Sequence, residues 1–132
     1  MIMDRDALVA AALDARRRAY APYSKFLVGA ALQTADGRVF TGCNVENCSY
    51  GLTICAERTA ACSAVAAGAR EFTAIALALS GGGTPCGACR QFLAEFNPKL
   101  PILLIDADAP ERIVETDLER LLPGRFEFNA PT

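Results

Sequence analysis

The stretch "TICAERTA", Thr53 to Ala60, places a cysteine and a glutamate two positions apart where a long loop gives way to an alanine-rich helix. Thirty-one positions after Cys55, "TPCGACRQ", Thr84 to Gln91, supplies Cys86 and Cys89 at a second predicted helix opening. Residues three apart at a helix start share one face, and Pro85 suits a first turn because its missing N–H would have no intrahelical partner. A CxxC pair in a small α/β protein reads as a redox dithiol or as half of a metal site. The redox reading leaves Cys55 and Glu57 unused, whereas the metal reading employs every one of these residues.

Side chains in a helix lean toward its N-terminus, so the first turns of two facing helices can converge on one point ahead of both. The positive ends of the helix dipoles favour thiolate over thiol there. Cys55, Cys86 and Cys89 would hold a tetrahedral zinc through three sulfurs, and an open fourth position marks a catalytic site. Cys62 lies about two turns, or ~10 Å, further down the axis, so it is expected in the core. Cys43 and Cys48 flank the polar loop. Spacing alone leaves Cys48 available as a fourth ligand, which would close the shell and make the site structural.

Charge gives the carboxylate a role. Zinc held by three thiolates acidifies water less than zinc held by neutral imidazoles, so a proton acceptor is needed beside it, and Glu57 is the one in the motif. Arg58 can donate to the ligand sulfurs and offset part of their charge. Residues two apart do not share a helix face, so Glu57 meets the site only if Cys55 stands at the very first turn. The competing reading makes Glu57 and Arg58 ordinary surface charges near a helix start.

The chain has 132 residues, 52% hydrophobic and 21% charged, which predicts one globular domain over 1–132 with a core that needs no disulfide staples. A net charge of -2 and a single short basic run, Arg16 to Arg18, offer no surface for nucleic acid. "ALVAAAL" is too short and wrongly flanked for a signal or a membrane span. A cytoplasmic location is therefore expected, where six cysteines serve as ligands or core residues. The chain has no histidine, which removes Ser-His and Cys-His mechanisms.

Apolar spacing predicts a helix over 4–19 capped by Asp4, then strands in "FLVGAALQT" and "RVFTGCNV" joined at Asp36-Gly37. A polar loop of about a dozen residues follows. A helix over 55–67 ended by Gly68, a buried strand "FTAIALAL", a helix from Pro85 to about Phe96, strands "ILLID" and "RIVET" and a short helix complete the pattern. The tail "RFEFNAPT" is expected to hold an extended segment. The order αββαβαββα implies an α/β fold, one sheet covered by helices.

"CAER" followed by "PCGACRQ" resembles the zinc-dependent cytidine deaminases, and Cys55 in place of a histidine ligand resembles their small homotetrameric branch. "APYSKFLVGAAL" and "GCNVENCSYGLTICAER" extend the resemblance over most of residues 20–93, and it loosens from about residue 107 onward. It implies a three-layer αβα sandwich with a mixed five-stranded sheet, one zinc per subunit, and active sites shared between subunits of a tetramer. It also implies that Asn44 and Glu46 bond the ribose hydroxyls and that Phe26 packs on the pyrimidine. The Ala56 amide would hold the base carbonyl, the Thr84 carbonyl would face the departing amine, and Tyr50 and Phe126 would arrive from a neighbouring subunit. The implied reaction turns cytidine or 2'-deoxycytidine into its uridine product, with Glu57 acting as base and then as acid, as in pyrimidine salvage. Two rivals stand beside it: a blasticidin S-type deaminase, and a structural zinc module used for protein contacts. On the residues alone, Phe26 and Phe126 read as core aromatics, and Asn44 and Glu46 as partners of turn backbone.

Overall fold

The computed structural model describes residues 3–128. Helix α1 spans Arg5–Arg16, followed by strands β1 (Val28–Thr34) and β2 (Val39–Cys43). Helix α2 (Ala56–Ala66), strand β3 (Phe72–Leu79) and helix α3 (Gly87–Ala94) come next, then β4 (Pro101–Asp106), β5 (Ile113–Asp117) and the single turn α4 (Leu118–Leu121). The sheet order is β2-β1-β3-β4-β5, with β3 and β4 parallel and the other neighbours antiparallel. The sheet is therefore mixed and five-stranded, as the resemblance implies.

β3 decides the layering. All of its eight residues except Thr73 are apolar. Alternation sends Ile75 and Leu77 into a core shared with α2 and α3, where Ala60, Ala64 and Leu93 pack. Ala74, Ala76 and Ala78 face the other way, against Leu8 and Ala12 of α1. The result is three layers, with α1 alone on one side of the sheet.

The crossovers place the two predicted helix openings together. β2 and β3 are each antiparallel to β1, so they run parallel to one another, and β3 runs parallel to β4. The connections β2–α2–β3 and β3–α3–β4 advance the same way across the sheet. Right-handed crossovers then lay both helices on one face, each starting at the carboxyl end of a strand. α2 closes at Gly68, φ 89°, where Gly68 N–H donates to Val65 O at 3.0 Å and Ala69 N–H to Ala64 O at 2.9 Å.

Several boundaries differ from expectation. α1 ends at Arg16 and not near residue 19, because Arg16 Nε donates to Leu27 O at 3.0 Å and Tyr20 is drawn into a bridge with Val45. α3 begins at Gly87, so Pro85 precedes the cap and lies outside the first turn. The loop after β2 contains a 3₁₀ turn, Tyr50–Leu52, and Val45 bridges both Tyr20 and Ile54. Residues 125–128 join no strand, and 129–132 lie outside the described residues.

Close approach of α2 to β2 requires Gly42, where a Cβ would collide with Ala56 O and Ala60 N. Thr59 Oγ1 donates to Cys43 O at 2.9 Å across the same junction. Gly42→Ala should lower unfolding free energy by about 1–3 kcal/mol, the usual cost of overpacking. Gly51→Ala, where a Cβ meets nothing within 4 Å, serves as the neutral comparison in urea denaturation. Equal midpoints for the two variants would refute this account.

Candidate metal centre

Cys55 is the N-cap of α2 and Cys86 the N-cap of α3, both with extended backbone, and Cys89 stands in the first turn of α3. Neither cap thiol makes a capping hydrogen bond to its helix's backbone, which leaves both sulfurs available at the helix openings. The three Sγ atoms lie within 4.8 Å of one another, with Cys55 and Cys86 4.0 Å apart. Three sulfurs on a tetrahedral zinc, each about 2.3 Å from the ion, would stand about 3.8 Å apart. The donor set therefore fits zinc in chemistry and in spacing. Among the described residues no further Cys, Asp or Glu joins this cluster. Cys48, open as a fourth ligand on spacing alone, is exposed and faces Asn47 Oδ1 at 3.8 Å.

The cap position also resolves how Glu57 can join Cys55. With Cys55 at the cap, Glu57 is the second residue of α2, and both line one cleft of about 240 Å³. Glu57 is only 4% exposed, so it is no surface charge. Burial raises its pKa above the ordinary carboxylate value, and the nearby Cys55 charge adds to the rise. Cys55 is lowered to about 5, first by a hydrogen bond from Cys89 and then by Arg58. The same sharing pushes the Cys89 thiol up. Arg58 Nη2 donates to Cys55 Sγ at 3.4 Å, as expected of a group that offsets thiolate charge. Its Nε is buried without a hydrogen-bond partner among the described residues.

Phe26, Val28, Asn44, Thr53, Ala56, Leu77, Leu79 and Thr84 complete the cleft. Phe26 is exposed at its mouth and is not a core aromatic. Asn44 is buried and spans the backbone of β1's entry: Oδ1 accepts from Val28 N–H at 3.0 Å and Nδ2 donates to Phe26 O at 2.8 Å. Glu46 accepts from the Tyr23 and Ser24 N–H groups at 3.0 and 3.1 Å, and from the Ser24 hydroxyl. Its carboxyl pKa falls, chiefly because of that hydroxyl. Asn44 and Glu46 thus satisfy turn backbone, and each keeps lone pairs or a proton to spare. Glu46 lines an adjoining hollow of about 270 Å³ with Tyr23, Ser24, Tyr50 and Thr53, so Thr53 is common to both spaces.

Three expected residues do not line the cleft within one chain: Glu46, in the adjoining hollow, Tyr50 and Phe126. Tyr50 is 74% exposed, edge-on to Tyr23 with ring centroids 5.9 Å apart. Phe126 is 73% exposed, and its carbonyl accepts from Gln91 Nε2 at 3.0 Å, outside the cleft. Cys62, expected in the core, is exposed, because α2 buries Ala60, Ala61 and Ala64 and turns position 62 outward. Sequence reasoning missed Leu77 and Leu79 as cleft floor. The available signal was their place at the carboxyl end of a strand leading into a crossover, where ligands gather in such sheets. It also missed Arg90, whose side-chain hydrogen bonds to Pro85 O, Leu121 O and Thr84 Oγ1 hold the approach to Cys86.

Residues 3–104 match the family of the cytidine and deoxycytidylate deaminase zinc-binding region. The chain is 49% identical over 127 residues to a cytidine deaminase of Sporosarcina psychrophila, covering 94% of this chain and 92% of that one. It is similar to a crystal structure of cytidine deaminase from Burkholderia pseudomallei, with TM-score 0.88, 52% identity, and coverage of 94% of this chain and all 100% of that one. The cytidine deaminase structure from Mycobacterium tuberculosis gives TM-score 0.82 at 41% identity over 96% of this chain and 100% of its own. A sulfur cluster spaced for zinc, a buried carboxylate beside it and likeness over nearly the whole length agree, and the chain belongs to the zinc-dependent cytidine and deoxycytidylate deaminase family.

Proposed function

We propose that the chain, acting as one domain, hydrolyses cytidine and 2'-deoxycytidine to uridine and 2'-deoxyuridine with release of ammonia, a step of pyrimidine salvage in the cytoplasm. The observation that carries this reading is Glu57: a carboxylate 4% exposed, in the first turn of the helix that Cys55 caps, facing a cleft with an apolar floor. The names of the relatives support the choice of substrate.

Cys55, Cys86 and Cys89 would hold the zinc. When bound, the metal supplies a Lewis acid that makes water more acidic. Glu57 accepts a proton from the attacking water and delivers it to ring N3 as oxygen adds to C4. It then carries the second proton to the amine, and ammonia departs. A buried carboxylate whose proton affinity is raised suits this shuttle, since it must hold a proton between two deliveries. Leu77, Leu79 and Phe26 exclude water around the flat ring. As the family resemblance implies, the Ala56 amide meets the base carbonyl and the Thr84 carbonyl faces the departing amine, and both residues line the cleft. The spare lone pairs of Asn44 and Glu46 meet the sugar hydroxyls.

Four subunits complete the site in this reading. Tyr20, Tyr23, Val45, Tyr50, Leu52 and Ile54 are exposed apolar residues on the two loops beside the cleft. Such a surface asks for a partner, and a tetramer would bring Tyr50 and Phe126 of neighbouring copies to each cleft.

Glu57→Gln should keep the zinc content and the circular dichroism of the parent yet lose about 10²–10⁴-fold in kcat, because one group serves as both base and acid. Near-normal turnover would end the proposal. Loss of ultraviolet absorbance with cytidine, compared with ammonia release from blasticidin S, tests the substrate, and preference for the antibiotic would overturn the assignment. Cys86→Ala should lower the zinc count per chain, and full zinc occupancy in that variant would exclude the three-sulfur site. Sedimentation at assay concentration should give four chains, whereas an active monomer would contradict the shared sites.

A further inference from the structure

Arg90 lies one residue past the candidate ligand Cys89, and its side chain turns back along α3 to the segment that precedes the helix. Nε donates to Pro85 O at 2.8 Å and Nη2 to Thr84 Oγ1 at 2.9 Å, while Nη1 reaches Leu121 O, at the end of α4, at 2.8 Å. Its own N–H donates to Cys86 O at 3.0 Å. One rigid guanidinium therefore joins three points: the cleft-lining Thr84, the residue directly before Cys86, and the last residue of α4, the helical turn that follows β5. Pro85 and Thr84 lie outside the hydrogen-bond ladder of α3, so helix formation alone does not fix them. The planar fork constrains direction at each partner in a way that a lysine ammonium cannot.

We propose that Arg90 is the positioning residue of the Thr84–Cys86 segment, clamping it to α4 and so setting where the Thr84 backbone and the Cys86 sulfur stand relative to Glu57. Its kinetic consequence rests on the deaminase reading given above, and its consequence for metal retention does not. Arg90 acts through Thr84 and Pro85; among the described residues its side-chain bonds go to them and to Leu121.

The test compares the zinc-loaded parent with Arg90→Ala, Arg90→Lys and Leu103→Ala. Leu103 is buried against α1 on the opposite side of the sheet, so its truncation loosens the fold without touching the clamp. Transfer of zinc to a chromogenic chelator, kcat and KM for cytidine, and Tm are measured for each. Arg90→Ala should release zinc about tenfold faster and lose about 10–100-fold in kcat, a range seen when outer partners of a metal site are removed, while KM changes less than kcat. Arg90→Lys should resemble Arg90→Ala, because it restores the charge and not the fork, and it carries the comparison if the alanine variant does not fold. Leu103→Ala should lower Tm yet keep the parent's zinc release and kcat.

Parent-like zinc release and kcat in Arg90→Ala would overturn the proposal. Full restoration by lysine would overturn it in favour of charge, and the same pattern in Leu103→Ala would overturn it in favour of general loosening. If the parent does not turn over cytidine while zinc release responds as expected, the substrate reading fails and the clamp stands.

Discussion

Two crossovers that travel in the same direction over one sheet are the constraint on which the site depends. A strand must leave at its carboxyl end, cover the sheet with a helix and return, and the right-handed twist of the chain allows one sense of return. Since β2 and β3 are parallel with β1 between them, α2 and α3 open side by side. Three sulfurs meet at those openings without any need for a long loop to carry them. Gly42 and the Thr59 hydroxyl set how closely the first of these helices approaches the sheet.

The electrostatics follow from that placement. Thiolates would repel one another if gathered in water. Here they meet amide dipoles from two helix ends and the guanidinium of Arg58. The shift of Cys55 toward the thiolate comes first from the Cys89 hydrogen bond and then from Arg58. Glu57 experiences the opposite pull: it is withdrawn from water beside a negative sulfur, which makes it a reluctant anion. In a chain without histidine, such a carboxyl group suits the proton shuttle proposed above.

Much of this was legible in the residues. "FTAIALAL" maps onto β3 residue for residue, and the helix expected over 55–67 spans Ala56–Ala66, with Cys55 as its cap and not its first residue. What was not legible has two physical sources. Boundaries that depend on tertiary bonds, such as the end of α1 at the Arg16–Leu27 contact, leave no periodic trace. Roles that depend on another surface leave none either: Tyr50 and Phe126 look like site residues only by resemblance, and within one chain both stand in solvent. Cys62 shows a further limit, since a helix spacing of seven suggests burial while the actual buried stripe of α2 runs through its alanines.

Those alanines carry a consequence for how the molecule tolerates heat and change. The face of the sheet beneath α1 presents Ala31, Ala74, Ala76 and Ala78, and α1 answers with Ala12. Side chains that short have no rotamers to lose on folding, so this layer is ordered at little entropic expense. They also contribute little oily area, which leaves cohesion there to main-chain proximity and to the few larger groups, Leu8, Leu103 and Ile105. A wall of this kind cannot adapt by rearranging side chains. Enlarging one methyl must move an entire helix, so the side of the protein remote from chemistry is expected to accept fewer replacements than the loops around the cleft.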